Sequence, residues 1–453
     1  MTGREAALKV LHEVLYDGAF SNDALRDCFR GHGEIDSRDR RFTEHLVRSS
    51  LKNRLPIEDV LNTCSTVKVK QMKPEIRCIL TAGACELLYM NTPDHAAVSE
   101  YVELTKKAGF RGLSGFVNAV LRRSAREGRE IVGKETGALK AGLPEELYQD
   151  IVSWYGEEEA LKIFSWYQKE DTEGLWIRRN VSSISHDGLV LCLQAENREL
   201  VPSGITDDTY LLKNAGDLTE SAAFLNGLFI VQDLSSALSG EIVRDLFASK
   251  RETFRVIDSC ASPGGKTLHA ADLMESGMPK TKKELVSCDV SERKAERIRE
   301  NVNRCGFSFV TTEVRDASLI TEEFTDRFDL VILDVPCSGL GVIGKRPEIR
   351  FRAGREARKS LTELQKRILD VNSRYVRPGG TLVYSTCTIA PEENIGQVRA
   401  FIGSRPEFKL RGFAENLSDK IPGADSASEG YLQILPGSIG SDGFFMARME
   451  RTE

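Results

Sequence analysis

Residues 328–339 read F-D-L-V-I-L-D-V-P-C-S-G, and the fold is decided there. Phe328 to Leu333 is a short apolar run rich in β-branched residues, the pattern of a strand buried on both faces of a parallel sheet. Asp334 ends the run at the edge where open α/β sheets bind ligands. Val335-Pro336 imposes an extended turn, so Cys337 is presented at the rim and is not carried into a helix. Further along, the plan repeats. Arg377-Pro378-Gly379-Gly380 turns, Thr381 to Ser385 forms a strand, and Thr386-Cys387-Thr388 follows its end. Two cysteines are therefore expected at one rim, each just past a strand.

Upstream, residues 254–267 read F-R-V-I-D-S-C-A-S-P-G-G-K-T: a strand, a Gly/Pro-rich turn, and the start of a helix. Such a turn at a helix N-terminus lets backbone amides approach a ligand closely. The spacing around Gly264-Gly265-Lys266 matches neither a Walker loop nor GxGxxG. Strands are expected at Leu285 to Cys288, Phe309 to Glu313, Phe328 to Leu333 and Thr381 to Ser385, alternating with helices such as Ser291 to Cys305. That alternation predicts a doubly wound, mostly parallel α/β sheet. Asp258, Asp289, Asp316 and Asp334 follow successive strands. Asp289 is placed to receive ribose hydroxyls, and Asp316 to serve the attached adenine.

The chain has 453 residues, enough for two or three domains. Its 41% hydrophobic and 29% charged residues are those of a globular protein. No apolar run reaches membrane-spanning length and the first residues carry no apolar leader, so a cytoplasmic protein without membrane contact is expected. Ten cysteines are scattered without CxxC or Cys/His clusters, which argues for reduced thiols and against zinc or a disulfide framework. A net charge of −6 gives no global nucleic-acid signature, so any basic surface must be local.

Residues 1–130 are expected to be all helical. Ala7, Val10, Leu11, Val14 and Leu15, then Phe42, Leu46, Val47 and Leu51, fall at helical spacing. Lys and Arg number 21 there against 18 Asp and Glu, a mild positive excess. Residues 131–142, rich in Gly and Lys, read as a linker. Residues 143–235 read as a small α+β domain, in which Arg178 and Arg179 are taken as ordinary surface charges. Residues 236–453 form the α/β domain.

The words of the first segment, A-L-K-V-L-H-E-V-L-Y-D-G-A-F-S-N, P-E-I-R-C-I-L-T-A-G-A-C-E-L-L-Y and G-F-V-N-A-V-L-R-R, resemble the NusB-type RNA-binding helical domain. The resemblance puts Arg38, Arg40, Arg41, Arg122 and Arg123 on or near an RNA-facing side. D-S-C-A-S-P-G-G-K-T, D-V-P-C-S-G, Y-S-T-C-T and the closing D-G-F-F-M-A-R resemble the RNA cytosine carbon-5 methyltransferases. With a NusB-like N-terminus, the RsmB (Sun/Fmu) type that modifies 16S ribosomal RNA is indicated, over essentially the whole chain. Ser259 and Ser262 stand where the family often has Ala, and Val335 replaces a usual Ala; none of these removes a functional side chain.

The resemblance implies a Rossmann-like class I methyltransferase domain that uses S-adenosylmethionine. Cys260, Ala261, Ser262, Pro263, Gly264, Gly265, Lys266, Asp289, Asp316 and Asp334 would contact the cofactor or border its site. The implied partner is 16S ribosomal RNA of an unassembled or partly assembled small subunit, met by a monomer. Carbon 5 of cytosine is a poor nucleophile, and a thiolate adding at carbon 6 makes it electron-rich. The carbon-5 proton must then leave, which calls for a second base at the same rim. Asp334 would hold the ring nitrogen and exocyclic amine, with electrostatic help from Lys266. Physics does not decide which cysteine attacks; the resemblance assigns Cys387 as nucleophile and Cys337 to product release.

Lys345 to Lys359 carries seven basic residues against two acidic, with Phe351 available to stack. Between the two catalytic loops of an enzyme acting on a polyanion, this run is expected to contact phosphate. A non-catalytic assembly factor would be expected to have lost Cys387, Asp334 or the Gly264-Gly265 turn. A DNA cytosine methyltransferase would lack the Thr-Cys cysteine and the NusB-like segment. An amino-group methyltransferase would carry N/D-P-P-Y/F, which is absent.

Overall fold

The computed structural model describes residues 1–31, 35–90, 92–169, 174–248 and 251–452. The chain divides into two compact units, residues 1–169 with 343–354, and residues 170–342 with 355–453. Among the described residues no helix is long and apolar enough to cross a membrane.

The first unit is helical. Helix Gly3–Tyr16 buries Ala6, Ala7, Val10, Leu11 and Val14 along one stripe, and Thr2 and Glu5 close a capping box at its start. Asp36 caps helix Ser37–Lys52, and Pro74 occupies the first turn of Pro74–Tyr89, where its missing N–H costs nothing. That last helix is buried on almost every side. Its Glu86 accepts hydrogen bonds from Arg4 Nε at 3.0 Å and Tyr101 Oη at 2.9 Å, so the buried charge is paired.

Residues 131–142, expected as a linker, hold the end of helix Ser114–Gly133 and a short helix Gly137–Ala141. Ala138 and Ala141 are buried, and Gly142, at φ +65°, supplies the left-handed cap. Good helix formers in G-A-L-K-A outweigh the flanking glycines. Helix Glu145–Gln168 follows, bent at Gly156.

The basic run departs from expectation. Ile343–Gly354 belongs to the helical unit. Arg350 is 1% exposed and donates from Nη1 to the carbonyls of Lys52 and Gly142, at 2.8 and 3.0 Å. Arg352 donates to the carbonyls of Val14, Gly18 and Ala19. Glu348, also buried, accepts from Ser21 N and Oγ, each at 2.9 Å. Arg54 lies 4.6 Å over the Phe351 ring. Arg350 and Arg352 are thus spent on backbone carbonyls left open at helix ends and turns, and phosphate contact is withdrawn for them.

The second unit carries two sheets. Strands β1 (Leu175–Arg179), β2 (Glu199–Pro202), β3 (Thr209–Lys213) and β4 (Phe229–Val231) form an antiparallel sheet in the order β2-β3-β1-β4. Arg178, expected at the surface, is buried; it donates to Asp272 Oδ2 at 2.7 Å and to Gln232 Oε1 at 3.0 Å. Arg179 is paired with Asp208.

The larger sheet comprises β5 (Thr253–Asp258), β6 (Lys282–Asp289), β7 (Val310–Val314), β8 (Phe328–Asp334), β9 (Val376–Thr386), β10 (Phe408–Leu410), β11 (Tyr431–Ile434) and β12 (Phe444–Arg451). Its order is β10-β12-β9-β8-β5-β6-β7, with β11 on β12. Strands β9, β8, β5, β6 and β7 are parallel, and β12 is antiparallel to β9. Leu330 and Ile332 enter the core on one face, Val331 and Leu333 on the other. Burial of both faces explains the unbroken apolar run from which the fold was read.

Candidate active site

The parallel strands end together. Asp258, Asp289 and Asp334 are the last residues of β5, β6 and β8, and Thr386 closes β9 immediately before Cys387. The strand order changes direction at β5, where successive crossovers leave to opposite sides and open a crevice beyond the carboxyl ends.

The turn after β5 runs from Ser259 to Gly264, with a cis bond between Ser262 and Pro263. Gly264 has φ +107°, which strains any residue with a Cβ, and helix Gly265–Gly277 starts directly after it. Asp289 is buried and holds this turn: its Oδ2 accepts Ser262 N at 3.0 Å, and its Oδ1 accepts Val290 N at 2.7 Å. Lys294 lies 3.0 Å from the same carboxylate. Val290 beside it is 57% exposed, an apolar surface at the crevice. Burial pushes the Cys260 thiol well above its usual range, so it stays protonated. Asp316 is exposed and accepts Ser318 N at 2.8 Å.

These residues fit S-adenosylmethionine. Helix-start amides and the glycine turn would suit its carboxylate, Asp289 would suit its ribose hydroxyls, and the exposed Val290 would offer an apolar face to its adenine. The buried Asp258 Oδ1 and Ser259 Oγ make no hydrogen bond among the described residues, leaving unspent polar capacity beneath the turn.

On the other side of the crevice, Lys266 Nζ donates to Asp334 Oδ2 at 2.7 Å and to Ser236 Oγ at 3.2 Å, and it lies 4.8 Å over the Phe444 ring. Ser385 Oγ donates to Asp334 Oδ1 at 3.1 Å. The Asp334 side chain is a third exposed, open to a ligand from the crevice.

The two sequence-selected cysteines meet: Cys337 Sγ lies 3.4 Å from Cys387 Sγ. A hydrogen bond to Cys387, together with burial, holds the Cys337 thiol well above the usual range. The Cys337 thiol is thus held toward its protonated form in the resting site, and either sulfur can be the donor of the bond.

Sequence reasoning passed over the groups behind this pair. Glu393 accepts Ser338 N at 2.8 Å and Gln365 Nε2 at 2.9 Å, and Asn394 donates to the Thr388 carbonyl at 2.9 Å. The available signal was the polar E-E-N triplet following T-C-T. Glu392 is paired with Arg358 on the outside, and nothing in the sequence tells it from its buried neighbour.

Comparison with known proteins agrees with this arrangement. Residues 246–450 match the family model described as 16S rRNA methyltransferase RsmB/F, and residues 1–126 match the NusB family. A probable ribosomal RNA small subunit methyltransferase B of Bacillus subtilis is 32% identical over 99% of this chain and 98% of its own length. The ribosomal RNA small subunit methyltransferase B of Shewanella oneidensis is 28% identical over 99% of both. The crystal structure of PH0851 superposes with a TM-score of 0.81 at 25% identity, covering 99% of this chain and 98% of that one. With the crevice, its glycine turn and both thiol loops inside the matched region, the chain belongs to the RsmB/F family of 16S rRNA methyltransferases.

Proposed function

We propose that this S-adenosylmethionine-dependent rRNA methyltransferase modifies carbon 5 of a cytosine in 16S ribosomal RNA through a covalent adduct with Cys387. The observation that carries the reading is the 3.4 Å approach of two thiols beside Asp334, one of them held protonated. An amino-group methyltransferase needs no such pair.

Cys387, its thiol proton released to water, attacks carbon 6 as the thiolate; the new S–C bond pushes the ring π electrons toward carbon 5 and the pyrimidine nitrogen. Asp334 holds the exocyclic amine at the ring-nitrogen edge, and the ammonium of Lys266, paired with that carboxylate, offsets the negative charge that builds on the ring until the methyl group is taken up. The bound cofactor supplies an electrophilic methyl group. With Cys387 bonded to carbon 6 and no longer a hydrogen-bond partner for it, Cys337 gives its thiol proton to water; the thiolate takes the carbon-5 proton, and the electrons of that C–H bond re-form the double bond as Sγ of Cys387 leaves. The helical unit contributes RNA affinity and no chemistry. An unassembled or partly assembled small subunit is the substrate and the enzyme acts as a cytoplasmic monomer.

The test separates the cysteines. Cys387→Ala should be inert and form no protein–RNA conjugate, whereas Cys337→Ala should attack, methylate and stall as a conjugate that survives denaturing electrophoresis. The double variant should lose the conjugate. A conjugate from Cys387→Ala alone would exchange the roles, and methylation persisting in Cys387→Ala without any conjugate would remove the covalent mechanism.

A further inference from the structure

Behind the thiols stands a carboxylate to which the mechanism above gives no work. Glu393 is fully buried, between the end of β9 and helix Ile395–Ser404. Its Oε2 accepts Ser338 N at 2.8 Å and Gln365 Nε2 at 2.9 Å, and its Oε1 accepts the Ser338 hydroxyl. Gln365 Nε2 also donates to the Pro336 carbonyl at 2.9 Å. The residues on both sides of Cys337 are therefore fastened to one carboxylate–amide pair. Ser338 Oγ in turn lies 2.7 Å from Thr388 Oγ1, next to Cys387.

The two thiols depend on this group unequally. Cys387 directly follows β9, which is hydrogen-bonded to β8 on one side and β12 on the other, and its carbonyl accepts Gly341 N at 3.0 Å. Cys337 lies three residues beyond the end of β8, on a loop without a sheet ladder, and is held through Pro336 and Ser338. A buried carboxylate is costly to desolvate, and burial raises the Glu393 carboxyl above its usual range. An apolar side chain would fill the space at less cost; what it would not supply is two acceptors aimed at Ser338.

We propose that Glu393 is the positioning residue of the resolving thiol: it fixes Pro336-Cys337-Ser338 against Thr386-Cys387-Thr388, so that Cys337 reaches the adduct which Cys387 has formed. The inference rests on the roles given to the two cysteines above. It predicts a defect in release of the adduct and none in its formation.

The experiment uses the full chain with S-adenosylmethionine and unmodified 16S ribosomal RNA, comparing wild type, Glu393→Gln, Ser338→Ala and Cys337→Ala on denaturing gels. Glu393→Gln should accumulate conjugate at roughly tenfold the wild-type level, the scale of one lost charged hydrogen bond, with unchanged cofactor affinity by calorimetry. Ser338→Ala, which keeps the backbone bond and a safe fold, should accumulate less conjugate than Glu393→Gln but more than wild type. Combining Glu393→Gln with Cys337→Ala should add nothing to Cys337→Ala alone, because both act on one step. Wild-type conjugate levels in Ser338→Ala and in a folded Glu393→Gln would overturn the proposal while leaving the cysteine roles standing. Should Glu393→Gln fail to fold, Ser338→Ala decides alone. If Cys337→Ala traps nothing, the reading of the cysteines fails and this inference falls with it.

Discussion

Lys266 Nζ donates to Asp334 Oδ2 at 2.7 Å, joining the first turn of the helix after β5 to the end of the adjacent strand β8. The pair straddles the crevice floor, and Ser385 occupies the other oxygen. Asp334→Asn preserves the shape and the Ser385 contact but removes the charge that pairs with Lys266. It should lower the single-turnover methylation rate by roughly a hundredfold or more, the usual scale for a group that positions and offsets developing charge. Cofactor affinity should move far less. A variant with wild-type turnover would take Asp334 out of the chemistry.

Asp289 holds the turn, and we propose that it also receives the cofactor's ribose hydroxyls; its variants should separate the two. The carboxylate fixes Ser262 N and Val290 N. Asp289→Ala should weaken S-adenosylmethionine binding by roughly ten- to hundredfold, the range expected for a lost charged hydrogen bond. Asp289→Asn keeps one acceptor for the turn and should lose less. Calorimetry on folded protein decides, and unchanged affinity in Asp289→Ala would remove it from the cofactor site.

The rim chemistry is legible because it is written in short contiguous words, each ending a strand whose apolar run has only one use. D-V-P-C-S-G and Y-S-T-C-T can be placed at one edge from their order alone. Arg178 and Arg350 mislead for the opposite reason. An arginine looks alike in sequence whether it faces water or a buried partner, and those partners, Asp272 for the first and the carbonyls of Lys52 and Gly142 for the second, are remote in the chain. Glu393 escapes notice for the same reason: its partners Ser338 and Gln365 come from a loop and a helix upstream.

The buried end of the basic run yields a stability prediction in place of an RNA effect. Glu348→Ala would leave Ser21 N and Oγ without their acceptor at the start of helix Ser21–Gly31. The helical unit should lose about 1–3 kcal/mol, seen as an earlier thermal transition. The salt dependence of RNA binding should keep its slope, since no phosphate contact is removed. A shallower slope with unchanged stability would return Glu348 and its neighbours to the RNA-binding surface.

Asp258 makes stability depend on pH in an unusual direction. It is fully buried at the end of β5, with Thr267 Oγ1 donating to one oxygen at 2.7 Å and no hydrogen bond to the other among the described residues. Burial, the largest influence, pushes its carboxyl from an ordinary 3.8 up to about 7, against the pull of Thr267 and Lys266. Below the unfolded value both states carry the proton and the group contributes nothing to pH dependence. Between that value and about 7 the folded protein keeps a proton that the unfolded chain releases, so stability falls as pH rises. Above that range the full cost is present. Asp258→Asn removes the titration, so its unfolding midpoint should gain on wild type as pH rises from 5 to 8. A tenfold change in proton affinity is worth about 1.4 kcal/mol, and the folded protein alone holds the proton over roughly two pH units of that interval, which sets the gain at about 3 kcal/mol. A variant that loses ground with rising pH would mean that Asp258 is held ionised in the folded protein and that its charge stabilises the β5 turn.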